Sequence, residues 1–264
     1  MKYTLGFIGV GNMGSALLFA ALRTVGADKI AICDTNTEKT ESLALGYGVA
    51  VATAEEIAAN ASFVILGVKP YAIKGVIEMI APHLHDGATL VSMAAGVPLG
   101  EILRYFGDDE RSVIRMMPNT PCAVGMGVIQ YAAINTSEEK KAAFVTAFSA
   151  AGLLDEIAEG QIDAASALSG CGPAFVYLFA EALADGAVAC GLPRDKAIVY
   201  AAKTLQGAGK MLEEYRSAGD LKDAVCSPGG TTIAGVHALE KGGLRGAAMD
   251  AVLAAYEKTL KLKS

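Results

Sequence analysis

Three glycines, Gly9, Gly11 and Gly14, fall between a short apolar run, Leu5–Ile8, and a helix-forming stretch, in the segment LGFIGVGNMGSALLFAAL. Few folds accept that placement. Gly9 permits a tight strand-to-helix turn. Gly11 removes a side chain where backbone must approach a bound group, and Gly14 lets the helix pack on the strand. The free N–H groups at the start of such a helix attract an anion, and the spacing matches a pyrophosphate cradle. A second apolar run, Ile30–Cys33, leads into Asp34, 20 residues after Gly14, where dinucleotide-binding folds place a carboxylate for the adenosine ribose. A purely structural turn needs the glycines but not the strand, helix and acid in step with them.

Up to about residue 160, β-branched runs alternate with helical patterns. The strand candidates are Leu5–Ile8, Ile30–Cys33, Phe63–Val68, Thr89–Met93, Ser112–Met116, Gly127–Tyr131 and Leu153–Ile157. Thr53 with Glu56 makes a capping box, and Ser137 followed by Glu138 and Glu139 opens another helix. This alternation predicts an α/β fold, a Rossmann-type doubly wound and mostly parallel sheet covered on both faces. Strand signals then stop, and everything from Ile162 on reads as helix broken by glycines and by Gly191–Pro193. The expected division is a nucleotide-binding domain over 1–160 and an all-helical domain over 161–264. Residues 164–190 are apolar enough to suggest a membrane span, but Gly172-Pro173 interrupts them and Glu181 and Asp185 sit within, so the stretch reads as a buried helix. A bundle of about a hundred residues has too little interior to hide so much apolar surface, which predicts a homodimer made through the helical part.

Charge and cysteine usage exclude other classes. The first 160 residues carry 11 Lys/Arg against 17 Asp/Glu, and the remainder 11 of each, with no basic run. Nucleic acid and anionic membrane are therefore not expected partners. The five cysteines are odd in number, widely spaced and free of CxxC pairs, which fits small apolar side chains in a reducing cytoplasm. His83 and His85 have no third ligand close in sequence and read as a loop, so no metal site is expected.

Three strand ends carry residues suited to a cofactor at the carboxyl edge of the sheet. Val68-Lys69-Pro70 offers a lone cation beside the pyrophosphate site. Ala94, Ala95 and Gly96 leave room for a flat ring. In MPNTP, Pro118 and Pro121 hold Asn119 and Thr120 extended. Asp34 on its own favours NADH, since a carboxylate there repels a 2′-phosphate. Thr35, Asn36, Thr37 and Lys39 can hold that phosphate if Asp34 turns aside, so NADPH stays open.

The helical half holds one stretch with no helical logic, SPGGTT at 227–232. Pro228 stiffens it, Gly229 and Gly230 bare the backbone, and Thr231 and Thr232 open a helix. Bare N–H groups at a helix start suit a small anion such as a carboxylate. The hydroxyls of Ser227, Thr231 and Thr232 suit a nitrogen beside it. Capping alone asks for one hydroxyl, and three are present.

With GFIGVGNMG, VKP, MAAG, MPNTP, ALSGCGPAFVYLF, GLPRDKA and above all LKDAVCSPGGTTIAGV on view, the chain resembles the pyrroline-5-carboxylate reductases from end to end. The resemblance implies NAD(P)H-dependent reduction of the cyclic imine 1-pyrroline-5-carboxylate to L-proline. It also implies a helical dimerisation domain and an active site between the two domains, completed across the dimer. Carried over by residue, Ile8, Gly9, Val10, Gly11, Asn12 and Met13 hold the pyrophosphate and Asp34 meets the ribose. Val68, Lys69, Pro70 and Ala95 line the cofactor. Ser227, Gly229, Gly230, Thr231 and Thr232 bind substrate, with the Gly229–Thr231 amides on its carboxylate and Thr232 on the ring nitrogen, the residue closest to catalysis. Asp34 departs from relatives that place a small hydroxylic residue there.

Two other readings compete. A β-hydroxyacid dehydrogenase shares the two-domain plan but needs a lysine acid/base, and Ser169–Ala180 has none. A non-catalytic NAD(P)-binding protein leaves SPGGTT without a purpose. Cys171 invites a nucleophile role, but no histidine lies near it in sequence, and a packed thiol is the simpler reading.

Overall fold

The computed structural model describes residues 2–261. The chain runs β1 (Tyr3–Ile8), α1 (Asn12–Ala21), β2 (Ile30–Cys33), α2 (Thr37–Tyr47), β3 (Ala50–Val51), α3 (Ala54–Asn60) and β4 (Ala61–Leu66). There follow α4 (Ile73–Ile80), β5 (Thr89–Ser92), α5 (Leu99–Phe106), β6 (Val113–Met117), β7 (Gly127–Ile134), α6 (Glu138–Phe148) and β8 (Gly152–Glu156). The rest is helix: α7 (Ile162–Ser169), α8 (Gly172–Ala189), α9 (Arg194–Tyr215), α10 (Ala218–Ala224), α11 (Thr231–Lys241) and α12 (Leu244–Lys261). The chain divides into two compact units, one running to Cys171 and rejoined from Ala255 on, the other Gly172–Ala254.

In the first unit one eight-stranded sheet has the order β3-β2-β1-β4-β5-β6-β7-β8. All neighbours are parallel except β6 with β7, whose connection is short and turns the chain back. The expected α/β, mostly parallel sheet is what the chain forms. β3 has only two residues, Ala50 and Val51, too few to carry a strand pattern in sequence. Each face of the sheet buries its own core. Ile57, Ile73, Ile77, Ile80 and Ile102 from α3, α4 and α5 cover one side. Leu17, Leu18, Phe144 and Phe148 from α1 and α6 cover the other. The caps foreseen from sequence form: Thr53 and Glu56 make the reciprocal pair at the start of α3, and Ser137 accepts from the Lys140 N–H at α6.

The second unit is helical and thinly cored. Ala184 of α8 and Ala197 and Ala201 of α9 are its buried cluster, joined by a turn in which Gly191 has φ +93°. Residues Glu159–Ala189 are long and apolar enough, by length and composition, to cross a membrane. The run is broken at Gly170 and Cys171 into α7 and α8, so it is not one continuous helix. The expected burial of α8 does not occur within the single chain. Only Ala180 and Ala184 of that helix are buried, and Tyr177 and Leu178 are 63% and 69% exposed.

Candidate active site

The parallel register sets four strand ends on one edge. Ile8 pairs with Cys33 on one side and Leu66 on the other, and Leu66 pairs with Ser92. Asp34, Gly9, Val68-Lys69-Pro70 and Ala95 therefore follow one another past the carboxyl ends of β2, β1, β4 and β5. This is where doubly wound sheets bind ligands. Gly9 N–H donates to the Cys33 carbonyl at 2.8 Å and Gly67 N–H to the Ile8 carbonyl at 2.8 Å, which extends the sheet one residue into the loops.

The glycines divide by purpose. Gly9 has φ +97°, and a Cβ there would lie 2.7 Å from the Gly67 carbonyl. A Cβ on Gly14 would lie 2.3 Å from the Gly9 oxygen, and one on Gly67 would lie 2.2 Å from the same atom. Those three are required by backbone packing. Gly67 belongs to no glycine motif in the sequence, and its one signal is its place between an apolar run and VKP. Gly11 differs, because nothing among the described residues lies within 4 Å of where its Cβ would stand. No described neighbour demands a glycine there, and the bare backbone leaves open space of the kind a pyrophosphate approach needs. The residues present therefore fit a dinucleotide.

The turn itself is pinned around Val10. Its N–H donates to Asp34 Oδ2 at 2.8 Å and its carbonyl accepts from Ser15 Oγ at 2.7 Å, while its side chain is fully buried. With the Val10 N–H committed, the N–H groups of Gly11, Asn12 and Met13 remain for an anion. α1 starts at Asn12 with Gly11 as its N-cap and no capping side chain. Asp34 Oδ1 accepts from the Asn36 N–H at 3.0 Å, and Asn36 Oδ1 caps α2 through the Lys39 N–H at 3.0 Å. Lys69 is exposed and makes no ion pair among the described residues. Ala95 sits half-buried before Gly96, whose φ is +79°.

Asn119, read from sequence as part of a rigid loop at the cofactor edge, is a buried brace. It is 6% exposed, accepts from the Val128 N–H at 2.9 Å and donates from Nδ2 to the Ser169 carbonyl at 3.0 Å. Gln130 Nε2 donates to the Ser169 hydroxyl at 2.8 Å, so the end of α7 is tied to β7. No local pattern in sequence points to a partner 50 residues away. Cys122 lies buried beneath this loop, and burial pushes its thiol pKa up. Cys171, read from sequence as a packed thiol, is instead exposed, because it falls in the break between α7 and α8. His85 Nδ1 accepts from the Gly87 N–H at 2.9 Å, a loop contact.

In the second unit SPGGTT is a tight turn followed at once by α11. The Gly230 N–H donates to the Ser227 carbonyl at 3.0 Å, with Pro228 second and Gly229 third at φ +70°. Proline and glycine take these places in a type II turn. Gly230 is the N-cap of α11 and no side chain caps it. Among the described residues the hydroxyls of Ser227, Thr231 and Thr232 make no hydrogen bond, and both threonines are exposed. The capping explanation for three hydroxyls therefore fails. An open groove of about 580 Å³ runs beside the turn, lined by Lys222, Gly229, Gly230, Ile233, His237 and Glu240.

Comparison with known proteins accords with both halves. Residues 159–262 match the pyrroline-5-carboxylate reductase dimerisation family, and residues 4–96 match the family of coenzyme F420-dependent NADP oxidoreductases. The pyrroline-5-carboxylate reductase of Pisum sativum is 40% identical over 266 residues, covering 99% of this chain and 96% of that one. The enzyme of Escherichia coli strain K12 is 39% identical over 268 residues, covering 99% of each. The crystal structure of Plasmodium falciparum pyrroline carboxylate reductase with NADP bound is similar over the whole of both chains, with a TM-score of 0.87 at 32% identity. The sheet edge, the uncapped turn before α11 and these full-length likenesses agree, and the chain belongs to the pyrroline-5-carboxylate reductase family.

Proposed function

We propose that this chain reduces 1-pyrroline-5-carboxylate to L-proline with NADPH or NADH, as the last step of proline biosynthesis. The observation that carries the reading is the uncapped start of α11, with bare amides and three unengaged hydroxyls in one turn. A ligand with one carboxylate and one ring nitrogen uses both kinds of group. A nicotinamide cofactor held at the sheet edge would supply hydride for the imine carbon, and with the imine nitrogen already protonated the product is the amine.

The protein's part is binding and orientation. The amides of Gly229 and Thr231 take the carboxylate, and the Ser227 hydroxyl closes the turn around it; the Gly230 N–H, expected from sequence to join them, is spent on the Ser227 carbonyl and shapes the turn instead. Thr232 meets the ring nitrogen and orients the imine. A protonated imine accepts hydride readily, so a site built from amides and hydroxyls needs no histidine or lysine acid. At the sheet edge Gly11, Asn12 and Met13 hold the pyrophosphate, with Ile8, Gly9 and Val10 shaping the turn and Asp34 facing the ribose. Val68, Lys69, Pro70 and Ala95 line the remainder.

Residues 1–160 act as the cofactor domain, and residues 161–264 as the substrate and dimerisation domain of a cytoplasmic homodimer. Support for the dimer is the match of 159–262 to a dimerisation family, together with the exposed Tyr177, Leu178, Met249 and Leu253 on α8 and α12. The test is loss of NADPH or NADH on addition of 1-pyrroline-5-carboxylate, matched mole for mole by L-proline. Cofactor binding without turnover supports the non-catalytic alternative instead. Oxidation of a β-hydroxyacid supports the dehydrogenase.

A further inference from the structure

Asp34 does more than stand at the end of β2. Its two carboxylate oxygens are each engaged by a different loop: Oδ2 by the Val10 N–H at 2.8 Å, Oδ1 by the Asn36 N–H at 3.0 Å. Thr35 Oγ1 lies a further 3.5 Å from Oδ1. Val10 is the centre of the Gly9–Gly11 turn, and Asn36 caps α2, whose start follows β2. One side chain thus joins the turn that carries the pyrophosphate amides to the turn that faces the ribose. The second anchor of Val10, Ser15 Oγ on its carbonyl, lies within α1 and leaves the N–H side to Asp34 alone.

We propose that Asp34 is a positioning residue that locks the glycine-rich turn and the β2–α2 turn together, so that cofactor affinity and cofactor choice are set at one carboxylate. The proposal rests on the reading of this edge as a nicotinamide-cofactor site and adds a constraint to it. A carboxylate held by two backbone donors cannot swing away to admit a 2′-phosphate without releasing both loops. The chain therefore favours NADH over NADPH. Replacing Asp34 does not convert it cleanly to NADPH use, because the same change loosens the pyrophosphate cradle. A carboxylate has lone pairs beyond the two used here, so the ribose hydroxyls still find acceptors on it.

The lock separates from a plain ribose contact by measuring the cofactor-free protein as well as binding. Amide hydrogen exchange is followed at Val10 and Asn36 in wild type, Asp34→Ala and Asp34→Asn, and NADH and NADPH binding is measured by calorimetry without substrate. The lock predicts that Asp34→Ala exchanges about tenfold faster at both amides, in keeping with loss of one hydrogen bond to a charged group each. Asp34→Asn, with a single acceptor oxygen, keeps protection at one amide only. Both Kd values rise in Asp34→Ala, NADH more than NADPH, so the preference narrows while neither cofactor gains. Unchanged exchange at Val10 in Asp34→Ala overturns the lock, as does tighter NADPH binding by that variant. Wild type that binds neither cofactor overturns the reading beneath it, whatever the amides do.

Discussion

Arg115 on β6 donates to Asp163 in the first turn of α7 across 2.7 Å, with 1% and 4% of the two side chains exposed. Glu159 Oε1 lies 3.3 Å from a second guanidinium nitrogen and accepts from the Leu99 N–H at 2.7 Å. Among the described residues Arg115 Nε has no partner. A buried ion pair offsets its own desolvation poorly, so the contribution here is to fix α7 on the sheet rather than to add stability outright. Arg115→Met takes the guanidinium away from the buried Asp163 carboxylate and sets an apolar side chain beside it. Denaturant unfolding is expected to show a loss of about 3–5 kcal/mol, with part of it recovered in Arg115→Met/Asp163→Leu. A single-variant loss below about 1 kcal/mol contradicts the pairing.

Gly11 and Gly14 differ in what surrounds them. Gly14→Ala places a methyl against the Gly9 oxygen, a backbone atom that cannot step aside, and overpacking there costs about 1–3 kcal/mol of stability. Gly11→Ala meets nothing within 4 Å and has an ordinary φ of −57°. Its stability stays within about 1 kcal/mol of wild type, since alanine is only a poorer N-cap. Its Kd for either cofactor rises at least about tenfold, or about 1.4 kcal/mol. Thermal unfolding and cofactor calorimetry on the two variants check both halves. Normal cofactor binding by Gly11→Ala removes the pyrophosphate from this turn.

Thr232→Ala removes a hydroxyl that holds no helix in place, because α11 is not capped by any side chain. Stability and cofactor Kd are expected to match wild type. The value of kcat/KM for 1-pyrroline-5-carboxylate falls by about 10- to 100-fold, the effect of losing one orienting hydrogen bond. Steady-state kinetics alongside cofactor calorimetry reads both. Loss of cofactor binding in this variant contradicts the assignment.

Cys122 supplies a pH prediction. Burial raises its pKa in the folded chain, so folding favours the neutral thiol. A raised pKa in an acid gives stability that is complete below the ordinary thiol range and is lost as pH climbs through the raised value. Cys122→Ala is expected to flatten the alkaline fall in melting temperature. In wild type at neutral pH, Cys122 reacts with a thiol reagent only on unfolding. Reaction of Cys122 in the folded protein at neutral pH contradicts its burial.

Sequence alone disclosed what depends on neighbours along the chain. The turn around Gly9–Gly14, the capping box at Thr53 and the shift from strands to helices after about residue 160 each arise from local spacing, and the structure bears them out. Asp34 was placed correctly at the end of β2, but its hold on Val10 was hidden, because a bond across 24 positions leaves no periodic trace. The brace from Asn119 to Ser169 was hidden for the same reason. The expectation that α8 is buried treated apolar composition as burial within one chain, and its large side chains remain exposed there. In SPGGTT the residues pointed to bare amides, and the structure added that none of the three hydroxyls is spent on the helix.

The reaction proposed for this chain is hydride transfer from a nicotinamide to the imine carbon of a cyclic amino acid precursor. Reduced cofactor carrying deuterium at the transferred position of the nicotinamide ring, incubated with the protein and 1-pyrroline-5-carboxylate, reads this directly by mass spectrometry and NMR of the product. One deuterium on the δ-carbon of L-proline, and none elsewhere, is the result expected. Unlabelled proline, or cofactor bound with no proline formed, contradicts it.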